Sequence, residues 1–203
     1  FNNQRRTLII KPMKKLLCVL LTLFVIQGYS QRRVPVDELI TKGWYEDGQL
    51  KFEGALFNGV GFDVYEDGQL KYEDNYKDGE KDGLWKEWYE NGQLKYLVNW
   101  KDGEKNGLFK EWSENGPLNL EVNYKDGEKD GLTKGWFENG QLNLMANYKD
   151  GELDGLFKEW FENGQLNLMF NYKDGKLDGL IKGWYENGQL KYEYNYKDGV
   201  LIK

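Results

Sequence analysis

The sequence predicts an all-β protein, an elongated single-layer antiparallel array of about seven stacked β-hairpin repeats of ~24 residues each. Three observations lead to this fold class. The chain repeats with a fixed period, two turn signals occur in every period, and apolar residues alternate between the turns. A constant period of 20–50 residues indicates structural units that stack along one axis and stabilise one another.

The first turn signal is the segment Glu-Asn-Gly-Gln-Leu. Asn-Gly between two strand-like runs is typical of a tight hairpin in which both turn positions have positive φ. Two earlier copies, with Asp in place of Asn, put the glycine at Gly48 and Gly68, and Pro117 replaces Gln in one later copy. The later copies place the turn glycine at Gly92, Gly116, Gly140, Gly164 and Gly188.

The second turn signal is Lys-Asp-Gly, which follows 11 residues after each first turn. A segment Phe57-Asn58-Gly59 is a variant of it near the start of the array. Two turns per period predict a continuous meander of antiparallel strands. The second set of turn glycines comprises Gly79, Gly103, Gly127, Gly151, Gly175 and Gly199.

The strands between the turns carry a period-2 pattern. A hairpin centred on Asn91-Gly92 predicts that Tyr89 pairs with Leu94, Glu87 with Tyr96, and Trp85 with Val98. Apolar residues then alternate on the second strand, and the same slots are apolar in later repeats. This alternation predicts that the side with these residues is buried: Leu94, Tyr96, Val98 and Trp100.

One tryptophan recurs at the same place in every later repeat. Sequence parity puts it on the face opposite Leu94. Two interpretations remain open: a ladder in which each indole packs on the next repeat, or an exposed aromatic face that binds a protein or a sugar. The candidate binding residues are Trp88, Trp112, Trp136, Trp160 and Trp184.

The N-terminal segment has the three parts of a secretory signal peptide. Met13-Lys14-Lys15 is basic, residues 16–26 are apolar, and small residues precede Gln31. We therefore expect an exported protein, periplasmic, secreted or on the outer surface. The predicted division is an upstream extension at 1–12, a signal peptide at 13–30, an N-terminal cap or linker at 31–42, and the repeat domain at 43–203.

The composition argues against catalysis, cofactors and metal. The chain has no His, and its single cysteine is Cys18, inside the predicted signal peptide. The loop 78–83 has the spacing that opens a calcium loop, but Tyr89 stands where the closing acid is needed. Removal of residues 1–30 leaves 23 basic and 34 acidic residues, a net charge of −11. Such a body is not expected to bind nucleic acid or an anionic membrane.

The turns and spacings resemble MORN repeats, in the variant found in bacterial YwqK-family antitoxins. The segments 89–95 and 76–84 carry the resemblance, which extends over residues 43–199. It implies a single-layer β array that serves protein contacts, dimerisation or lipid contact, and it leaves the oligomeric state open.

The function expected from the sequence is that of a non-catalytic, exported interaction or scaffold module. Its partner would be another protein, bound through the aromatic face or through an open edge near 200–203. Two alternatives stay open: a platform for cell-surface glycan, and an antitoxin or immunity protein that neutralises a partner toxin.

Overall fold

The computed structural model describes residues 31–46 and 49–202. The expected upstream extension and signal peptide, residues 1–30, lie outside this part, and so does the turn at Gly48. The described residues form one short helix and many strands, so the predicted all-β class is confirmed.

The elements follow one another with short connections, as expected for a meander. The first ones are β1 (Arg33–Pro35), α1 (Val36–Lys42), β2 (Gly43–Glu46), β3 (Gln49–Phe52), β4 (Ala55–Leu56), β5 (Gly59–Val64), β6 (Leu70–Lys77), β7 (Glu80–Lys81), β8 (Gly83–Trp88) and β9 (Leu94–Lys101). The later ones are β10 (Glu104–Trp112), β11 (Leu118–Lys125), β12 (Glu128–Trp136), β13 (Leu142–Lys149), β14 (Glu152–Trp160), β15 (Leu166–Lys173), β16 (Lys176–Leu177), β17 (Gly179–Trp184), β18 (Leu190–Lys197) and β19 (Val200–Leu201).

Most of these strands belong to one 16-stranded sheet. From β9 to β15 each strand pairs with the strands that precede and follow it in the chain, always antiparallel. Strand β1 differs from these strands, because it pairs in parallel with β5, at the N-terminal end of the sheet. Strands β2, β3 and β4 form a separate three-stranded sheet. The predicted array of stacked hairpins is therefore confirmed.

The N-terminal end of the array is closed by a small apolar core. Helix α1 supplies Leu39, whose Cδ1 would lie 2.8 Å from a Cβ added at Gly61, so glycine is what allows the helix to approach β5. Tyr76 of β6 packs against the same core. Val34 and Leu39 of the predicted N-terminal cap are thus packed in this core. The buried members of the core are Val34, Leu39, Leu50, Phe52 and Phe57.

In the middle of the array, the structure confirms the prediction of which side of the sheet is buried. Val98 is 2% exposed, and its cross-strand neighbours are Trp85 of β8 and Phe109 of β10. The equivalent residues Val122 and Ala146 are equally enclosed. Directly opposed residues of an antiparallel pair project to the same side. We call this side the Val98 face.

The Asn-Gly hairpin differs from the prediction. The amide of Gly92 donates to the Tyr89 carbonyl over 2.9 Å, and the Tyr89 amide donates to the Gln93 carbonyl over 2.9 Å. Only Gly92 has positive φ, at 80°. This is a longer loop that begins as an ordinary turn and ends in a glycine bulge, and it has no paired positive φ values. Leu94 therefore pairs with Trp88, not with Tyr89.

The rest of the predicted register is confirmed. Glu87 pairs with Tyr96 and Trp85 with Val98, because the bulge between Glu87 and Trp88 absorbs the shift near the turn. The tight two-residue turn occurs at the second signal instead. There Asp102 has a φ of 47° and Gly103 a φ of 79°, which is the conformation that joins two strands with matching twist.

Neighbouring repeats are joined by hydrogen bonds at both ends of the hairpins. At the Asp-Gly end, the amide of Gly103 donates to the Lys81 carbonyl over 2.9 Å, and each later turn repeats this bond. At the Asn-Gly end, the Tyr89 hydroxyl donates to the Trp112 carbonyl over 2.9 Å. These bonds join residues about one period apart, so they set the stacking of one repeat on the next.

An asparagine closes an irregularity in each repeat. In the β9–β10 pair, Lys105 lies opposite Trp100 and Phe109 opposite Val98, so three residues of β10 oppose Asn99 alone. The side-chain amide of Asn99 donates to the Leu108 carbonyl over 2.8 Å. Asn123 makes the same bond to Leu132. The side chain thus donates a hydrogen bond to a carbonyl beside the bulge.

We expect Asn123→Ala to lower the free energy of unfolding by about 1–2 kcal/mol, because the Leu132 carbonyl loses its donor. Asn119→Ala is the matched control, since the Asn119 side chain makes no hydrogen bond within the described residues. Urea denaturation followed by tryptophan fluorescence measures both. Equal effects of the two substitutions would contradict the role given to Asn123.

Candidate binding surface

The five recurrent tryptophans are all half-buried at the Asn-Gly end of the hairpins. None of them is among the exposed large apolar residues of the described chain. The predicted pairing of Tyr89 with Leu94 is not observed, because the bulge pairs Trp88 with Leu94 and Trp112 with Leu118. Their backbone also takes part in stacking, since the Trp88 carbonyl accepts the Tyr65 hydroxyl at 2.6 Å. Whether any of them binds a partner stays a prediction.

The Val98 face combines aromatic rings with lysines. Trp85 and Tyr96 stack with centroids 6.0 Å apart and planes 20° apart. The ammonium of Lys105 lies 5.1 Å from the Tyr124 ring centroid, and that of Lys129 lies 4.9 Å from the Tyr148 centroid. Such cation–π contacts shield part of each ring from water. The lysine side chains therefore shield aromatic rings of the Val98 face from water.

The residues that shield the rings of the Val98 face change along the array. The position of Lys81, Lys105 and Lys129 is occupied by Leu153 and Leu177 in the later repeats. Phe157 and Phe170 stack there, with ring centroids 5.7 Å apart and planes 14° apart. Three lysines thus give way to apolar residues, and the Val98 face becomes more apolar toward the C-terminal repeats.

A buried carboxylate interrupts the Val98 face near its N-terminal end. Asp74 occupies the slot that holds Val98 and Val122 in the following repeats, and it is 5% exposed. Its Oδ2 accepts the Lys81 ammonium at 2.7 Å and the Tyr76 hydroxyl at 3.0 Å. Its Oδ1 is buried without a hydrogen-bond partner.

This burial changes the ionisation of the cluster. Burial raises the pKa of Asp74 above its ordinary value, although the bonds from Lys81 and Tyr76 act in the opposite direction. Burial, together with the charges of Asp63 and Asp74, raises the pKa of Tyr72 to about 12. The alternation pattern gave no sign of this cluster, but comparison of equivalent positions would have found it, since one repeat has Asp where the later ones have Val, Ala, Phe or Tyr.

The exposed apolar side chains concentrate on the final repeat. Val200 is 65% exposed, Leu201 52%, and Tyr185 50%. In earlier repeats the residues equivalent to Leu190 and Tyr194 are half-buried or buried. We call these side chains the terminal patch: Tyr185, Leu190, Tyr194, Val200, Leu201 and Ile202.

The terminal patch also carries the hydrogen-bond donors that elsewhere hold the next repeat. Tyr65 and Tyr89 donate their hydroxyls to the following repeat, but the equivalent Tyr185 hydroxyl meets no acceptor in the described chain. The side-chain amides of Asn187 and Asn195 likewise reach no carbonyl there, whereas their counterparts do, such as Asn163 to Glu186 and Asn171 to Leu180. This surface therefore has the chemistry of a repeat-to-repeat contact.

The loops that resemble the start of a calcium site have a structural use. The Asp154 carboxylate accepts the backbone amide of Asp174 over 3.2 Å, and Asp130 and Asp178 make similar, longer bonds to the next turn. Over residues 31–46 and 49–202, no group of three or more acidic or cysteine side chains is placed to hold a metal ion. No helix in the same part of the chain has the length and apolar character that a bilayer-spanning segment needs.

We expect Asp74→Val to raise the free energy of unfolding by about 1 kcal/mol at neutral pH, because a buried carboxylate is replaced by the residue of neighbouring repeats. Since the pKa of Asp74 is raised by folding, its charge opposes folding only as the pH rises above the ordinary carboxyl value. The gain should therefore shrink in acid. Urea denaturation of the native protein and the variant, at neutral and at acidic pH, measures this gain in the free energy of unfolding.

Ala146→Asp is the matched control for this prediction. It places a carboxylate in the same slot of a repeat where Leu153 stands in place of the lysine. An unpaired buried charge should cost about 3–5 kcal/mol. If Ala146→Asp were tolerated as well as Asp74 is in the native protein, the Lys81 contact would have no stabilising role.

Comparison with known proteins agrees with this geometry. The family model described as "MORN repeat variant" matches the chain seven times, at residues 38–58, 57–78, 81–102, 105–126, 129–150, 153–174 and 177–198. No curated protein matches the chain. Because the repeated matches extend over most of the chain, the protein belongs to the MORN repeat variant family.

Proposed function

We propose that the protein is a non-catalytic interaction module that binds another protein through the terminal patch and the adjoining edge of β18. The observation that carries this proposal is the concentration of exposed apolar residues on the final repeat. Apolar patches with polar surroundings are typical of protein-binding sites. Arrays of stacked repeats commonly present extended surfaces to partners.

The edge of β18 offers the backbone part of such a site. β19 pairs with Tyr196 and Lys197, and the Ile202 amide donates to the Asn195 carbonyl over 2.8 Å, so residues 190–194 have no strand beside them on that side in the described chain. In the preceding repeats, the equivalent residues Leu168 and Met169 pair with β17. A partner strand added along 190–194 would supply backbone hydrogen bonds, and its apolar side chains would cover Leu190 and Tyr194.

Charge narrows the class of partner. With a net charge of −11 after residue 30, the array repels polyanions such as nucleic acid at long range. The terminal patch itself is apolar, with Lys191 and Lys197 interspersed among acids. These properties favour a folded protein or a peptide strand as the ligand. Two alternatives are distinguished by the test below: a glycan platform formed by the recurrent tryptophans, and a toxin as the bound protein.

We expect the double substitution Leu190→Lys and Leu201→Lys to abolish capture of the partner in a crosslinking pull-down from the native host, read by mass spectrometry. Both side chains are more than half exposed, so the fold should be unaffected. Circular dichroism checks this. A protein captured equally well by the double variant would contradict binding at the terminal patch.

Trp136→Ala and Trp160→Ala form the matched control, because they alter the recurrent tryptophans far from the terminal patch. Capture lost only with these variants would assign binding to the aromatic residues of the middle repeats. Enrichment of polysaccharide without protein would favour the glycan platform, and a single toxin with the double variant inactive would favour the antitoxin alternative.

We also propose that the protein is exported. The basic, apolar and small-residue segments of 13–30 support this. N-terminal sequencing of the protein from envelope fractions is expected to begin at Gln31, and Leu20→Arg, which interrupts the apolar run, is expected to leave the chain uncleaved in the cytoplasm. Cleavage unaffected by Leu20→Arg would contradict recognition of this segment.

A further inference from the structure

The Asn-Gly turns repeat the same loop, and in three of them the asparagine side chain is held twice. The Oδ1 of Asn91 accepts the Gln93 amide over 2.9 Å, and its Nδ2 donates to the Glu114 carbonyl over 2.9 Å. Asn139 and Asn163 make the same two bonds, to the glutamine two residues later and to the glutamate of the next turn. The first bond fixes the side chain locally, and the second joins it to the next repeat.

Asn115 lacks both of these bonds. Pro117 stands where the other turns have glutamine, and proline has no backbone N–H to donate to the Asn115 Oδ1. The Asn115 Nδ2 donates to no acceptor in the described residues, and the residue is exposed. The turn keeps its backbone hydrogen bond, since the Gly116 amide still donates to the Ser113 carbonyl over 2.9 Å, although φ is 102° at Gly116 and 80° at Gly92.

We propose that Asn115 is a site of spontaneous deamidation, selected from the otherwise equivalent Asn-Gly turns by Pro117. The backbone nitrogen of Gly116 attacks Cγ of Asn115, and the Cγ–Nδ2 bond breaks. The amide proton of Gly116 passes through water to the departing nitrogen, which leaves as ammonia. Water then opens the cyclic imide at one of its two carbonyls and gives aspartate or isoaspartate. No oxidant, reductant or enzyme is needed.

The side-chain bonds decide between the turns because the attack requires the Asn carboxamide to rotate toward the next backbone nitrogen. At Asn91, Asn139 and Asn163 both hydrogen bonds resist this rotation. At Asn187 only the bond from Gln189 remains, at 3.0 Å. Glycine as the following residue places no Cβ near the attacking nitrogen in any of the turns.

The product changes the surface at the Asn-Gly end of the array. A carboxylate at position 115 lies beside Glu114, in a row of glutamates that includes Glu90 and Glu138, one in each repeat. Repeats are two strands wide, so neighbouring members of the row are about 10 Å apart, within reach of one another's charge. Asn91 donates to the backbone of Glu114, so an isoaspartate at 115 also alters the contact with the preceding turn.

The test is incubation of the purified full chain at mildly alkaline pH, followed by peptide mapping with mass spectrometry. Asn115 is expected to convert about tenfold faster than Asn91, Asn139 and Asn163, because two hydrogen bonds that must break there are already absent. Asn187 is expected to fall between these rates. Equal rates at all five positions, or the fastest rate at a doubly held asparagine, would overturn the proposal.

Two matched variants isolate the cause. Pro117→Gln restores the sequence of the other turns and should slow Asn115 to the rate of Asn91. Gln141→Pro removes the amide that Asn139 uses and should accelerate that residue. Circular dichroism confirms that each variant is folded. If Pro117→Gln leaves the rate at Asn115 unchanged, Pro117 does not select the site and the proposal fails.

Discussion

The structure depends on the pairing of each hairpin with the hairpin that follows it. Val98 is enclosed by Trp85 of its own hairpin and by Phe109 of the next one, so neither hairpin buries this residue alone. The backbone bond from Gly103 to Lys81 and the hydroxyl bond from Tyr89 to Trp112 hold the two units in register. In a sheet of one layer, burial comes from cross-strand neighbours, and the stability of each repeat therefore includes that of its neighbours.

The two ends of such an array face the same physical problem and meet it differently. At the N-terminal end, Leu39 of α1 and Phe52 of the three-stranded sheet pack with Phe57, which precedes β5, in a small core that Tyr76 of β6 contacts. The final repeat of the described chain keeps its side chains exposed, together with donors that elsewhere hold the next repeat. This difference in exposure within the described chain is the observation on which the proposed binding site rests.

Several residues differ from their equivalents in the other repeats and change the local contacts. Asp74 introduces a buried carboxylate, paired with Lys81, into a slot that is apolar in the later repeats, and Leu153 and Leu177 replace the lysine later on. Pro117 removes one backbone donor and frees one asparagine from a contact that its equivalents keep. Because other repeats keep the usual residue at each of these positions, comparison with them shows which contact each change adds or removes.

The sequence by itself determined the period, the all-β class and the side of the sheet that is buried. The reason is that the alternating apolar residues of stacked hairpins all lie on one side of the sheet, which is then the side that becomes buried. Only the tertiary structure decided the geometry of the turns. Asn-Gly and Asp-Gly both permit a tight turn, but the bulge at Trp88 lengthens the first loop and leaves the two positive φ values to the second. Exposure of Leu190 and Tyr194 was equally beyond the pattern, because they occupy slots that are covered in other repeats. Whether a slot is covered depends on the neighbouring hairpin, which local sequence does not contain.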